Sequence, residues 1–287
     1  STYMFEGKKI LITGGTGSLG SALTKRLLET NLETLRLFSR DEWKQQQMKS
    51  NFDDKRLRFL IGDVRDKERL HRALEGIDIV IHAAALKQVD ACEYNPFEAV
   101  KTNVHGTQNL IDACLANNVK TTLAVGTDKA VSPFNTYGAT KLLMERLFIS
   151  ANYYKGPRNS NFLSVRYGNV LGSRGSIVPT FIDQITTGKK ITVTAPEMTR
   201  FTITMDQAVD LVMRSLTNGV GGEIFVPKLK AYKVKTMTDA IMELFDAKNE
   251  VEIISARSGE KYHESLISKD EIRNTFENDV DFVLLDK

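Results

Sequence analysis

Apolar and polar positions along the chain form two kinds of alternating segment. Short apolar runs bounded by turn residues predict strands at 9–13, 34–38, 57–61, 77–82, 122–125, 161–165 and 223–226. Longer amphipathic stretches between most of the early strands predict helices at 17–30, 40–51, 67–74, 98–117 and 137–151. This alternation is typical of βαβ units, and therefore of a parallel sheet whose ligands bind at the carboxyl ends of its strands.

The pattern predicts an α/β protein with a Rossmann-type, doubly wound parallel sheet and a smaller carboxyl-terminal lobe. The strand and helix rhythm loosens after Gly168, where prolines and glycines fall in loops. We therefore expect residues 1–168 to form the Rossmann domain. Residues 169–287 are expected to form the smaller lobe, interleaved with the last strands.

Composition and charge narrow the class of protein. The 287 residues are 41% hydrophobic and 26% charged, which is typical of globular enzymes and excludes a disordered chain or a disulfide scaffold. The 39 lysines and arginines are scattered and nearly balanced by 36 acidic residues, so no nucleic-acid partner is expected. Cys92 and Cys114 lie in segments predicted as helix, and the four histidines share no ligand spacing. We therefore expect reduced packing thiols and no metal site.

The sequence also lacks the features of a membrane protein. No window approaches the roughly 18 apolar residues that a membrane span requires. The first residues lack the apolar core of a signal peptide. We therefore expect a soluble, cytoplasmic protein that makes no membrane contact.

A glycine-rich turn joins the first predicted strand to the first predicted helix. Gly14, Gly17 and Gly20 allow a tight turn, let backbone amides approach a pyrophosphate, and let the helix pack close to the strand. Because a strand precedes this turn and a helix follows it, the spacing indicates a site for a dinucleotide.

The end of the second strand predicts which dinucleotide is preferred. An NAD site commonly has an acidic residue there for the ribose 2′-hydroxyl, whereas this chain has Ser39 and Arg40. A hydroxyl and a guanidinium suit a 2′-phosphate, so NADP is predicted over NAD, although the acidic Asp41 follows directly. The ends of the third and fourth strands are expected to line the same cofactor, with Asp63, Val64, Ala83, Ala84 and Ala85.

A tyrosine and a lysine stand four residues apart at the start of the helix at 137–151. Tyr137 and Lys141 therefore share one helix face. An ammonium beside a phenol favours the phenolate, which can take a proton from a substrate hydroxyl while a hydride leaves for the nicotinamide. This pair predicts an oxidoreductase step.

Three further groups end the fifth strand, just before this tyrosine helix. Thr127, Asp128 and Lys129 supply a hydroxyl anchor, a proton donor and a second base. Hydride transfer alone does not require this much acid and base equipment, whereas an elimination of water from a sugar does. The alternative is that Asp128 and Lys129 form a surface ion pair.

The glycine turn and the tyrosine–lysine pair resemble the extended short-chain dehydrogenase/reductase family along essentially the whole chain. Within that family, further motifs resemble those of the inverting UDP-N-acetylglucosamine 4,6-dehydratases of the pseudaminic acid type. These motifs are FSRDE, GDVRD, AAALKQV, EYNPFEAVKTN, TDKA, VRYGNVLGSRGS, MTRF, GGEIFVPK and RSGEKYHE. The resemblance implies a homo-oligomeric lyase that binds NADP tightly and recycles it. It assigns Asp128 as the acid, Lys129 as the C5 base, Tyr137 to C4 oxidation and Lys141 to tuning Tyr137.

The lobe is expected to bind the substrate diphosphate, because Arg200 and Arg257 offer guanidinium forks that match phosphate geometry. The resemblance adds Lys87, Asn169 and Glu260 to the substrate site. To the cofactor site it adds Thr16, Ser18, Leu19, Lys87, Asn103 and Val170, beside the glycines and the tyrosine–lysine pair.

Rival functions remain open from the sequence. A nucleotide-sugar 4-epimerase would need Tyr137 and Lys141 but has no use for Asp128 or Lys129. A 4,6-dehydratase that retains the C5 configuration is a further alternative. A protein of another class, which binds NADP without catalysis, would usually lack the tyrosine–lysine pair.

Overall fold

The structure of the chain is a computed structural model, which describes residues 2–84, 94–127, 135–171, 177–194, 196, 199–229, 231–254, 266–268, 270–271 and 274–285. The strands are β1 (Lys9–Thr13), β2 (Thr34–Ser39), β3 (Leu57–Ile61), β4 (Ile79–His82), β5 (Thr121–Thr127), β6 (Asn161–Tyr167), β7 (Asn169–Val170), β8 (Ile191–Thr194), β9 (Thr199–Ile203), β10 (Glu223–Pro227), β11 (Ala231–Lys233), β12 (Val251–Ile254), β13 (Thr275–Glu277) and β14 (Asp281–Leu285). The helices are α1 (Ser18–Leu28), α2 (Glu42–Asn51), α3 (Lys67–Ala73), α4 (Pro96–Ala99), α5 (Gly106–Ala116), α6 (Thr136–Tyr154), α7 (Ile177–Thr186), α8 (Met205–Asn218) and α9 (Val234–Leu244). A 3₁₀ turn covers Thr2–Phe5, and a π-helical turn, Val100–His105, joins α4 to α5.

One large sheet organises the described residues. Its nine strands have the order β13-β14-β10-β6-β5-β4-β1-β2-β3. The seven strands from β10 to β3 in this order run parallel, whereas β14 is antiparallel to both β10 and β13. The predicted Rossmann-type parallel sheet is thereby confirmed.

The main sheet is buried on both faces, because successive residues of a strand point to opposite sides. In β1, Ile10 and Ile12 pack with α1 and α8 on one face, and Leu11 packs with α3 and α5 on the other. All three side chains are fully buried. Burying one such side chain contributes about 1.5–3 kcal/mol, so these alternating layers are sufficient to specify the sheet.

The register of β1 places several strand ends together. Thr13 pairs with Phe38 of β2 and with His82 of β4, and β5 continues beside β4 in the same direction. The carboxyl-terminal ends of β1 to β5 lie along one side of the sheet, from Ile61 at the end of β3 to Thr127 at the end of β5. We call this side the carboxyl edge. Parallel sheets bind their ligands at this edge.

The start of one strand and the course of one helix differ from the bounds predicted from the sequence. β4 begins at Ile79 rather than at residue 77, because the carboxylate of Asp78 accepts the Lys9 N–H at 2.8 Å and Asp78 N donates to Lys9 O at 2.8 Å. The helix predicted at 98–117 is interrupted by the π-helical turn, in which the carbonyl of Asn103 accepts a hydrogen bond from the Thr107 hydroxyl at 2.7 Å.

Smaller sheets build the lobe. One has the order β11-β9-β7, and the other pairs β12 with β8 in parallel. A separate apolar cluster of Phe181, Ile191, Val193 and Val234 lies under them. β10, β13 and β14 belong to the main sheet, and the division of the chain at residue 168 stays a prediction.

Two further predictions concern the cysteine thiols and membrane-spanning helices. Cys114 is buried on α5 beside the Thr122 hydroxyl, and burial raises the pKa of its thiol to about 12; Cys92 lies outside the described residues. Within the part of the chain that the structure describes, no helix is long and apolar enough to cross a membrane.

Candidate active site

The glycine-rich turn forms a cradle between β1 and α1. Gly14 has φ +67°, and a Cβ there would lie 2.9 Å from Ala84 N at the end of β4. A Cβ on Gly20 would lie 2.4 Å from Gly15 O, so neither position accepts a side chain. Gly17 is the N-cap of α1. Because glycine has no side chain, no capping side chain of this residue accepts the first backbone N–H groups of the helix. This cradle fits the pyrophosphate of a dinucleotide.

Ser39 and Arg40 stand at the end of β2, as the sequence predicts for the adenosine end of the cofactor. The buried Gln45 on α2 donates from Nε2 to Ser39 Oγ at 3.0 Å and to Leu60 O at 2.9 Å. This contact holds the serine hydroxyl, and it leaves the hydroxyl proton of Ser39 available for a ligand. Sequence reasoning missed Gln45, because a glutamine within a polar helix carries no periodic signal.

Arg40 and Asp63 join the ends of β2 and β3. Arg40 Nη1 lies 3.9 Å from Asp63 Oδ2, and the Arg40 side chain is 58% exposed. Partial burial on its own would raise the pKa of Asp63, but hydrogen bonds from Arg65 and the charge of Arg40 hold it below its ordinary value. Asp63 is therefore an anion whose main partner is Arg65, at 2.9 Å, and the exposed Arg40 guanidinium lies farther from it at the carboxyl edge.

The tyrosine helix α6 packs against β5 and β6. Its N-cap is Asn135, whose Oδ1 accepts the Gly138 N–H at 2.7 Å. Tyr137 and Lys141 are both buried, each with 7% of its surface exposed, and lie one turn apart on the same helix. Thr127 ends β5 opposite Tyr167 of β6. The structure thus places the predicted phenol and ammonium together in a largely desolvated environment.

Further cofactor residues take different positions. Asn103, in the π-helical turn, is fully buried and donates from Nδ2 to Thr140 Oγ1 at 3.0 Å. The side chains of Leu19 and Val64 belong to the two apolar clusters, so they offer a ligand their backbone rather than their side chains. The other described residues that are predicted for the cofactor site belong to the glycine turn or the strand ends and are Thr16, Ser18, Ala83 and Ala84.

Two predicted substrate residues meet in the three-stranded sheet of the lobe. Asn169 begins β7 opposite Thr202, and Arg200 lies in β9 opposite Tyr232. Val170 follows Asn169 in β7 and pairs with Ile203. The predicted residues Ala85, Lys87, Asp128, Lys129, Arg257 and Glu260 lie outside the described residues. Among the residues that the structure does describe, no group of three or more histidine, cysteine or acidic side chains is arranged to hold a metal ion.

The fold and this site define an extended short-chain dehydrogenase/reductase. The model of the polysaccharide biosynthesis protein family matches residues 10–284, and the chain belongs to that family. The resemblance stated from the motifs is therefore confirmed.

Curated relatives agree with this class. A Campylobacter jejuni protein named UDP-N-acetylglucosamine 4,6-dehydratase (inverting) is 49% identical over 276 residues, covering 96% of this chain and 81% of the relative. A Rickettsia massiliae protein named UDP-glucose 4-epimerase is 44% identical over 273 residues, covering 94% of this chain and 80% of the relative.

Solved structures show the same fold. Pen from Bacillus thuringiensis superposes with a TM-score of 0.94 at 42% identity, covering 98% of this chain and 87% of that one. DesIV, a dTDP-glucose 4,6-dehydratase from Streptomyces venezuelae solved with NAD bound, superposes with a TM-score of 0.81 at 22% identity, covering 92% of this chain and 90% of that one.

Proposed function

We propose that the chain removes water from UDP-N-acetylglucosamine and inverts the sugar at C5, with a nicotinamide dinucleotide as recycled cofactor. The observation that carries this proposal is the buried Tyr137–Lys141 pair on α6, beside the strand end where the sequence continues from Thr127 into Asp128 and Lys129. The Campylobacter relative supports the substrate and the inversion.

The first step belongs to the tyrosine helix. Tyr137 takes the proton of the C4 hydroxyl, and the Lys141 ammonium stabilises the phenolate that must do so. A nicotinamide dinucleotide held by the glycine cradle would supply the hydride chemistry, the removal of hydride from C4 and its return at C6. Because the oxidation and the reduction cancel, the net reaction is the loss of one water molecule.

The elimination needs a second base and an acid. Once C4 is a ketone, the C5 proton becomes acidic, and we assign its removal to Lys129. Asp128 gives a proton to the departing C6 hydroxyl, which leaves as water. A proton then returns to C5 from the opposite face, which gives the L-arabino 4-keto-6-deoxy sugar. Thr127 is proposed to anchor the substrate beside these groups.

The cofactor is proposed to be NADP, bound tightly. Support comes from Ser39, whose hydroxyl is held by Gln45, and from Arg40 at the neighbouring position. Both are groups that hydrogen-bond a 2′-phosphate. The glycine cradle fits the pyrophosphate of either dinucleotide, so the preference depends on these strand-end groups.

The sugar nucleotide is proposed to bind between the carboxyl edge and the lobe. Asn169 and Arg200 share the three-stranded sheet of the lobe, and an arginine fork suits the diphosphate. We assign Lys87, Arg257 and Glu260 to the same site from the motif resemblance. The same resemblance supports a cytoplasmic homo-oligomer in a pseudaminic acid type pathway.

A 4-epimerase is the second candidate, because the Rickettsia relative carries that name at 44% identity. An epimerase would oxidise C4 with the same tyrosine and would return the hydride to C4. It would not eliminate water, so Asp128 and Lys129 would have no role in it.

Incubation of the protein with NADP and UDP-N-acetylglucosamine in heavy water separates these functions. We expect a product that has lost water, carries one deuterium at C5 and has the L-arabino configuration by NMR. A 4-epimer without loss of water would show an epimerase, and retention of the C5 configuration would exclude inversion.

A further inference from the structure

A network of buried polar side chains connects β1 to the tyrosine helix through the middle of the molecule. Its members, in spatial order, are Thr13, His82, Thr107, Asn103 and Thr140, and each is at most 3% exposed. Thr13 ends β1, His82 ends β4, and Thr140 lies in the first turns of α6. Buried polar groups of this kind are stable only when each donor finds an acceptor, so their hydrogen bonds can be assigned one by one.

The bonds around Thr107 decide which ring nitrogen of His82 carries a proton. The Thr107 hydroxyl donates its single proton to Asn103 O at 2.7 Å. Toward His82 Nε2, at 3.2 Å, the same oxygen can therefore only accept. Nε2 of His82 must be the protonated nitrogen.

The bonds around Thr13 lead to the same tautomer independently. Thr13 Oγ1 accepts the backbone N–H of Ala84 at 3.2 Å and that of Ala83 at 3.1 Å, which Ala83 shares with Thr13 O, so both lone pairs of Oγ1 face a donor. Its proton is left for His82 Nδ1, at 2.7 Å. Protonation at Nδ1 would direct an N–H at a fully used oxygen and would leave Nε2 facing another lone pair.

The ring of His82 is also neutral. Burial, together with the smaller effect of the positive charge of Lys141, lowers the pKa of His82 to about 3. Phe148 stacks on the ring with centroids 5.8 Å apart, which restricts its rotation. Lys141 is consequently the cation that we assign to tuning Tyr137, and the neutral His82 ring adds no positive charge of its own.

The other end of this network reaches the backbone carbonyl of Tyr137. Asn103 Nδ2 donates to Thr140 Oγ1 at 3.0 Å, and Thr140 Oγ1 donates to Tyr137 O at 3.0 Å. Asn103 lies in the π-helical turn, a distortion that occurs frequently at functional sites. The hydroxyl of Thr107 supports this turn, since it bonds to the Asn103 carbonyl.

We infer that His82 is a positioning residue: in one fixed tautomer it holds the strand ends that flank the cofactor in register with the helix that carries Tyr137. The glycine cradle meets Ala83 and Ala84 so closely that a small displacement of these strand ends would change it. The catalytic part of this inference rests on the proposed function, whereas the tautomer and the effect on cofactor binding do not.

Substitution of Thr107 tests the inference with a matched control. Thr107→Val removes the acceptor of His82 and keeps the side-chain shape, whereas Thr107→Ser keeps the hydroxyl. Thr238→Val is the control, because Thr238 is also buried and donates to the carbonyl four residues earlier, Val234 O, at 2.9 Å, but belongs to α9. Only Thr107 in this pair also accepts a bond from a histidine.

For Thr107→Val we expect the Kd for NADP to rise about tenfold and kcat to fall about tenfold, the size of one buried hydrogen bond. KM for UDP-N-acetylglucosamine should stay within about twofold of the unmodified protein, because the network does not reach the lobe. Thr107→Ser should restore both values and Thr238→Val should leave them unchanged. Equal effects of Thr107→Val and Thr238→Val would overturn the inference.

Nitrogen NMR on the unmodified protein tests the tautomer without any variant at the network. With ¹⁵N-labelled histidine, single replacements of His71, His105 and His263 identify the signals of His82 by elimination. We expect one protonated nitrogen, Nε2, and one bare nitrogen, Nδ1. A ring protonated at Nδ1, or at both nitrogens, would refute the assignment. A protein that shows the expected tautomer but does not dehydrate the sugar would refute the proposed function alone.

Discussion

The two halves of the molecule are stabilised in different ways. In the main sheet, β1 and β4 are covered by helices on both faces, and the apolar side chains of both strands are buried. In the lobe, β8 and β12 form a two-stranded sheet whose outer side is open, since Ile253 is 69% exposed. The comparison teaches that apolar layers cover both faces of the central strands, whereas the β8–β12 pair has an apolar cluster on one side only.

A buried arginine joins the main sheet to the chain that precedes β13. Arg166, on β6, is 1% exposed and donates to both carboxylate oxygens of Glu145 on α6 and of Glu271 near the carboxyl terminus. Its remaining N–H donates to Leu266 O at 2.9 Å, so all five donors are used. Glu145 lies one turn beyond Lys141, so this cluster, which we call the Arg166 clamp, connects the tyrosine helix to the chain after the proposed substrate residues Arg257 and Glu260.

The largest expected effects lie at the chemistry between the two halves. Lys129→Ala should retain NADP and sugar binding but lose product formation by about 10²–10⁴-fold, the range for a general base. Reduced nicotinamide absorbance should appear in Lys129→Ala, because the C4 oxidation still occurs, and should be absent in Tyr137→Phe. Lys248→Ala, at an exposed lysine paired with Asp246, is the control. Full activity of Lys129→Ala would remove the lysine from the mechanism.

The Arg166 clamp provides the next largest effect. Arg166→Met would leave the buried Glu145 without its partner, so we expect the free energy of unfolding to fall by about 3–5 kcal/mol. Arg26→Met breaks an exposed ion pair with Asp210 of 2.5 Å and should cost no more than about 1 kcal/mol. Urea denaturation measures both values. Similar losses in the two variants would show that burial does not distinguish these pairs.

The sequence predicted the main sheet more accurately than the lobe, and the comparison explains why. Strands buried on both faces appear as continuous apolar runs, so β1 was predicted at its observed bounds and β4 within two residues of them. The short strands of the lobe, such as β8 and β12, were not predicted, because one-sided burial over four residues gives a weak signal. The π-helical turn was not predicted, because a pattern of apolar positions does not distinguish a short π-helical segment from the α-helix around it.

The candidate site was predictable where function depends on a local motif. The glycine turn, the strand ends at Ser39 and Asp63, and the tyrosine–lysine pair are all readable from spacing. The histidine network and the Arg166 clamp join residues far apart in the sequence, and no spacing rule pairs Arg166 with Glu271. His82 appears in the sequence as an ordinary packing residue, since its role depends on the proton positions of its neighbours.

A smaller effect tests cofactor preference in the well-packed half. Arg40→Ala should reduce the preference for NADP over NAD by about ten- to a hundredfold, because one charged hydrogen bond contributes about 1.5–3 kcal/mol. Titration of each dinucleotide by calorimetry measures this ratio, with Arg158→Ala, at a remote and exposed arginine, as the control. Equal affinity of the unmodified protein for NAD and NADP would contradict the assignment.

The smallest effect concerns the pH dependence of the Arg166 clamp. Partial burial would raise the pKa of Glu271, but the hydrogen bond and charge of Arg166 hold it below its ordinary value of 4.5. A carboxyl whose pKa is lower in the folded state stabilises the fold above its unfolded pKa, and this contribution is lost as the pH falls through the folded pKa. Glu271→Gln should therefore be less stable than the unmodified protein by about 1 kcal/mol at neutral pH.

This difference should shrink as the pH falls below about 4.5, because the unfolded chain then takes up a proton at Glu271, and it should be lost once the pH passes the lower pKa of the folded state. Glu277→Gln is the control, since Glu277 is an exposed carboxylate that pairs with Lys228 at 2.7 Å. Urea unfolding between pH 7 and the acid limit of the fold measures both variants. If the difference for Glu271→Gln stayed constant across that range, the carboxylate of Glu271 would not be the group through which Arg166 holds the carboxyl-terminal chain.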